Sequence, residues 1–76
     1  MNVTQNDILS IVENAGISAP VSKINGATPL REAGVDSLEM MNILLAIEEK
    51  FGIKIPDDEI DRLGTVDSIV NYLRGR

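Results

Sequence analysis

Residues 36–52, DSLEMMNILLAIEEKFG, set the limits on how this chain can fold. Asp36 followed three residues later by Glu39 fits an N-cap and N3 pair, a capping box with Asp in the place of Ser or Thr. Apolar residues then dominate 38–47, and Gly52 closes the element after Phe51. The spacing predicts a helix over 37–51. A helix apolar over more than one face belongs centrally, with other elements packed around it.

Two further helices can supply that packing. Ile8, Ile11, Val12 and Ala15 fall at i, i+3, i+4 and i+7, with Thr4 as N-cap, Asp7 in the first turn and Gly16 as a stop, so a helix is expected over about 4–15. Thr65 caps another over about 65–74, where Val66, Ile69, Val70 and Leu73 form the stripe. An extended connector ends at Pro56, and Asp57 can start a short helix over about 57–62. The long loop 16–36 carries turn signals at Pro20, Asn25-Gly26 and Pro29, and its Ile17, Val21, Ile24 and Leu30 are expected to pin it across the bundle. Such a stretch is uncommon in a compact domain and is often functional. The expected fold is all-α: a small bundle of three main helices plus one short helix, in a single domain, 1–76. A chain of 76 residues buries about 60% of its unfolded surface. With Phe51 and Tyr72 as its only aromatics, its core must be aliphatic.

The residues absent narrow the chemistry. Without cysteine there is no disulfide framework, thiol nucleophile or thiolate metal site. Without histidine the usual general base and the commonest zinc ligand are missing, so a Ser-His-Asp hydrolase is excluded within this chain. The acidic run DDEID lacks the glycine and alternating ligands of a calcium loop, and no metal site is expected. The longest apolar run, 43–47, is far short of the roughly 20 residues of a membrane span. With no signal peptide expected at its start, a cytoplasmic location is expected. Net charge is −5, concentrated in 36–61, where eight acids face two bases. Such a field repels nucleic acid and anionic membrane surfaces and favours partners with basic patches.

Ser37 is the one reactive-looking group at an element boundary. If Asp36 caps the helix, the Ser37 hydroxyl has no capping duty and can point outward. A phosphate esterified to it would sit where helix ends favour anions. The alternative is an Asp-Ser pair that does nothing more than start a helix.

The wider pattern resembles the phosphopantetheine attachment region of acyl carrier proteins. Gly34, Asp36, Ser37, Leu38 and Glu39 match its Gly-x-Asp-Ser-Leu turn and following acid. Glu48, Glu49 and Phe51 match the end of its helix, and Ile55, Pro56 and the acids 57–59 match its Ile-Pro segment. The resemblance continues through Thr65-Val66 and Tyr72-Leu73, so it covers about residue 30 to the end. It implies an acyl-carrier-like bundle and a carrier rather than an enzyme. A phosphopantetheinyl transferase would attach 4′-phosphopantetheine from coenzyme A to Ser37, within the turn formed with Asp36 and Leu38. Asp36 would also position the transferase's magnesium and substrate. Acyl groups would then ride as thioesters on the arm.

The resemblance also implies a docking face of Glu39, Met40, Glu48, Glu49 and Asp57 for partners with basic patches: the transferase, an acyl-loading enzyme, and a ketosynthase or acyltransferase. Met41 is expected inside and Met40 at the surface. A cargo path between the helices would be lined by Ala33, Ile43, Ile47, Ile60, Leu63 and Ile69, with Ala33 widening its mouth where the family has leucine. Asn42 replaces a second acid usual in bacterial fatty-acid carriers, and TPLRE (28–32) is common in polyketide and peptidyl carriers. A specialised acyl carrier is therefore at least as well supported as one of general fatty-acid synthesis. Two readings stand beside it: an aminoacyl or peptidyl carrier, and a helical interaction module that is never modified. A monomer is expected.

Overall fold

The computed structural model describes every residue except Met1, Ser18, Ala19 and Arg76. The described residues form three α-helices, α1 (Gln5–Asn14), α2 (Ser37–Phe51) and α3 (Val66–Arg74), and two 3-10 helices, Val21–Lys23 and Asp57–Arg62, with no strand among them. This is the expected all-α bundle. Ser18 and Ala19, in the expected loop, and Met1 and Arg76, at the ends of the expected domain, lie outside the described residues.

Local chemistry starts each α-helix. Helix ends leave backbone N–H groups without partners, and a side chain just before the first turn can supply one. Thr4 Oγ1 accepts from the Asp7 N–H at 3.2 Å, while Asp7 Oδ2 accepts from the Thr4 N–H at 3.0 Å. The reciprocal pair recurs at Asp36 and Glu39, and again at Thr65 and Ser68. Gly52 ends α2 at a φ of 65°. The segment 57–62 is a 3-10 helix rather than an α-helix, as is common for short connectors.

Every buried residue among those described is Val, Ile or Leu, and no buried polar side chain is present among them. Helix α1 contributes Ile8, Ile11 and Val12; α2 contributes Ile43, Leu44 and Ile47; α3 contributes Val66, Ile69, Val70 and Leu73. Burying each such side chain contributes about 1.5–3 kcal/mol before entropy is counted. Ile24 and Leu30 reach this core from the long loop, with Ile17 and Val21 half-buried against it. The backbone fastens the same loop: Leu30 N–H donates to Gly64 O at 2.8 Å, and Asp67 N–H to Gly26 O at 3.0 Å. A Cβ at Gly26 would meet the side-chain ends of Asp67 and Gln5, which hydrogen-bond to each other, so a larger residue there would have to displace that pair.

Helix α2 is not enclosed as its composition suggested. One face is buried, but Leu38 is 73% exposed, Leu45 51% and Met41 43%. These three recur at i, i+3 and i+7, a second apolar stripe that nothing among the described residues covers.

Candidate functional site

The turn that leads into α2 is built tightly. Val35 N–H donates to Leu30 O at 3.0 Å, Gly34 N–H to Arg31 O at 3.2 Å, and Ala33 N–H to Leu30 O at 3.1 Å. Closing a turn this short puts Gly34 at a φ of 101°, a conformation that side-chain-bearing residues rarely adopt. Leu30 and Val35 face the core, which anchors both ends of the turn. Asp36 and Ser37 follow directly at the surface.

At that point Asp36 is occupied and Ser37 is not. Asp36 Oδ1 accepts from the Glu39 N–H at 2.8 Å, and Glu39 Oε1 accepts from the Asp36 N–H at 3.1 Å. Ser37 is the first helical residue, exposed, and its hydroxyl has no hydrogen-bond partner among the described residues. With no histidine in the chain, Ser37 has no imidazole to activate it. Its hydroxyl is open to solvent at the first turn of α2.

Ser37 stands on the rim of an open groove of about 450 Å³. The apolar wall comes from Leu30, Val35, Met40, Met41, Ile60 and Leu63. Four charged residues, Arg31, Glu32, Asp36 and Asp61, also line it. The groove thus lies between the turn, the start of α2 and the second 3-10 helix.

The expected site residues divide under this geometry. Ser37 and Asp36 line the groove, while Leu38 stands exposed beside them. Of the six residues expected along a cargo path, Ile60 and Leu63 line the groove. Ile43, Ile47 and Ile69 are sealed in the core, and Ala33 is half-buried against it. Among the expected docking acids, Glu49 and Asp57 are exposed. Glu39 completes the α2 capping box, and Glu48 Oε2 accepts from the Ile55 N–H at 2.7 Å. The methionines are reversed from expectation: Met40 is half-buried and Met41 exposed. Met40 lies three residues before Ile43 on the buried stripe, whereas Met41 shares the outer stripe with Leu38 and Leu45. That outer stripe, with Leu45, is a feature the sequence reading missed, although its i, i+3, i+7 spacing was available. Among the described residues, no helix is long and apolar enough to cross a membrane.

Comparison with known proteins converges on one group. Residues 7–73 match the family described as "Phosphopantetheine attachment site". The chain is 38% identical over 63 residues to the acyl carrier protein of Zymomonas mobilis, a match covering 83% of this chain and 80% of that protein. It is 35% identical over 63 residues to the acyl carrier protein of Campylobacter hominis, covering 83% and 78% respectively. Against the mitochondrial acyl carrier protein of Dictyostelium discoideum it is 39% identical over 64 residues, 78% of this chain and 53% of that protein. Among solved structures, it is similar to a chain in the crystal structure of an engineered Bradyrhizobium japonicum glycine:[carrier protein] ligase complexed with a carrier protein from Agrobacterium tumefaciens and ATP. The TM-score is 0.81 at 25% identity, covering 95% of this chain and 97% of that one.

Proposed function

The chain belongs to the acyl carrier protein family, and on that premise we propose that Ser37 bears the 4′-phosphopantetheine arm and that the protein carries acyl groups on it. The observation that carries this reading is the exposed, unpartnered Ser37 hydroxyl at the rim of an apolar groove. The residues fit such a group: a free hydroxyl for the ester, open space around it, and an apolar wall alongside. When attached, the arm supplies a thiol that forms thioesters with acyl groups. Attachment forms the Ser37 Oγ–phosphorus bond and breaks the pyrophosphate bond of coenzyme A, with the adenosine bisphosphate leaving and the serine proton passing to a base of the transferase.

The chain's own residues hold and present this arm. Asp36 fixes the first turn of α2 through the Glu39 N–H and keeps a second carboxylate oxygen for the transferase's magnesium. Leu38, Met41 and Leu45 offer an apolar stripe to partner enzymes, with Glu49 and Asp57 as exposed acids for basic patches. Ile60 and Leu63, with Leu30, Val35 and Met40, form the wall against which an acyl chain would lie. Partners of this kind are the transferase, an acyl-loading enzyme and a ketosynthase or acyltransferase, and the cytoplasm is the proposed location. In this reading the protein is a carrier and not a catalyst.

An aminoacyl carrier uses the same arm, and one loading experiment separates the two. The arm-bearing protein is offered medium-chain acyl groups through an acyl-loading enzyme and amino acids through an adenylating ligase, with intact mass as readout. Thioester formation with the acyl group alone is expected. Loading only by the amino acid would overturn the acyl assignment.

A further inference from the structure

The groove beside Ser37 holds one cation among its charged lining, Arg31, against the carboxylates of Glu32, Asp36 and Asp61. Among the described residues Arg31 is exposed and has no hydrogen-bond or ion-pair partner for its side chain, although three acids share its groove. Its backbone is nonetheless held on both sides. Arg31 O accepts from the Gly34 N–H at 3.2 Å, and the adjoining Leu30 donates to Gly64 O at 2.8 Å while accepting from Val35 N–H. The turn therefore presents a side chain with five N–H donors from a fixed point on the rim that Ser37 also occupies. Lys23, Lys50, Lys54 and Arg62 do not line this groove.

Esterification of Ser37 would place a phosphodiester anion next to Asp36, in the most acidic part of a chain of net charge −5. Like charges this close repel, and the cost falls on the modified form alone. A guanidinium matches two phosphate oxygens with a planar pair of N–H bonds and stays charged at all relevant pH values. We propose that Arg31 is a positioning residue for the phosphodiester on Ser37, closing over it from the preceding turn and setting the direction in which the arm leaves the protein. This rests on the reading of Ser37 as the attachment residue. Arg31 has no part in forming the ester. It offsets the charge that the ester introduces and narrows the arm's orientations at the groove.

The test compares unmodified and arm-bearing forms of wild type, Arg31→Gln and Arg31→Lys, prepared with coenzyme A and a broad-specificity transferase and checked by intact mass. Thermal midpoints and the phosphorus-31 resonance of the phosphodiester are recorded. The unmodified proteins should melt alike, because Arg31 is exposed. Modification should lower the midpoint by roughly 2–4 °C more in Arg31→Gln than in wild type. That gap should close in 1 M salt, where the screening length is about 3 Å. The phosphorus resonance should move in Arg31→Gln and return part of the way in Arg31→Lys, which keeps the charge without the fork. Full loading with equal midpoint changes and an unmoved resonance would overturn the proposal alone. A wild-type chain that gains no mass would overturn the Ser37 reading and the proposal together.

Discussion

Glu48 Oε2 accepts a hydrogen bond of 2.7 Å from the backbone N–H of Ile55, seven residues further along the chain. This contact bridges the left-handed turn at Gly52, and Glu48 O also accepts from the Ile53 N–H at 3.1 Å. A side chain expected to meet partner enzymes also ties the end of α2 to the connector that leads to Ile60 and Leu63. Those two residues form part of the groove wall, so Glu48 helps to hold the wall in place.

Removing that carboxylate should therefore cost stability. Ile55 is buried, and its N–H would lose its partner in Glu48→Ala, a loss of about 1–3 kcal/mol. For a domain of this size each kcal/mol lowers the melting midpoint by about 4–8 °C. Glu48→Gln keeps an acceptor and should lose less. Glu49→Ala, at an exposed neighbouring position, should stay within about 0.5 kcal/mol of wild type. Thermal melts of the three variants check the ordering, and a Glu48→Ala midpoint equal to that of Glu49→Ala would refute it.

Partner binding should depend on two surfaces that respond differently to salt. Leu38→Ala removes an exposed side chain from the outer stripe and should weaken association with a transferase about tenfold, with little salt dependence. Glu49→Lys and Asp57→Lys should slow association mainly at low ionic strength. Binding kinetics across a salt series distinguish the two, and the helical circular dichroism of each variant should match wild type. Unchanged kinetics in Leu38→Ala would mean that the stripe is not a docking surface.

On the proposed reading, a cargo chain should lie along the groove rather than enter the core. Each methylene placed against Leu30, Met40, Ile60 and Leu63 can contribute up to about 0.8 kcal/mol, offset by the cost of widening a packed wall. A medium acyl chain on the arm should raise the melting midpoint above that of the bare-arm form. Ile60→Asn, which makes the wall polar, should remove most of that gain. Ala33→Leu should leave it intact, because Ala33 packs against the core and does not line the groove. Equal midpoints for bare and acylated protein would place the chain in solvent.

The helices were legible because their signals are local. Thr4 with Asp7, Asp36 with Glu39, and Thr65 each sit within three residues of the N–H groups they serve, and their stripes follow a period of 3.6. The phase of α2 was not legible. Its sequence carries two apolar faces, and composition does not say which is covered by this chain and which is left for another, so Met40 and Met41 were exchanged. The Glu48–Ile55 bond has no sequence signature, since its geometry exists only once Gly52 has turned the chain. For the same reason the groove drew on Leu30, Val35 and Arg31, which only the folded 30–35 turn brings beside Ser37.

Whether the Ser37 hydroxyl is the point of attachment can be settled by intact mass. Wild type and Ser37→Ala are incubated with coenzyme A and a broad-specificity transferase, and circular dichroism confirms that both are helical. The hydroxyl makes no hydrogen bond among the described residues, so its loss should cost little stability. Wild type should gain the mass of one phosphopantetheine, and Ser37→Ala should gain none. A folded Ser37→Ala that still takes up the arm, or a wild type that never does, would contradict the account.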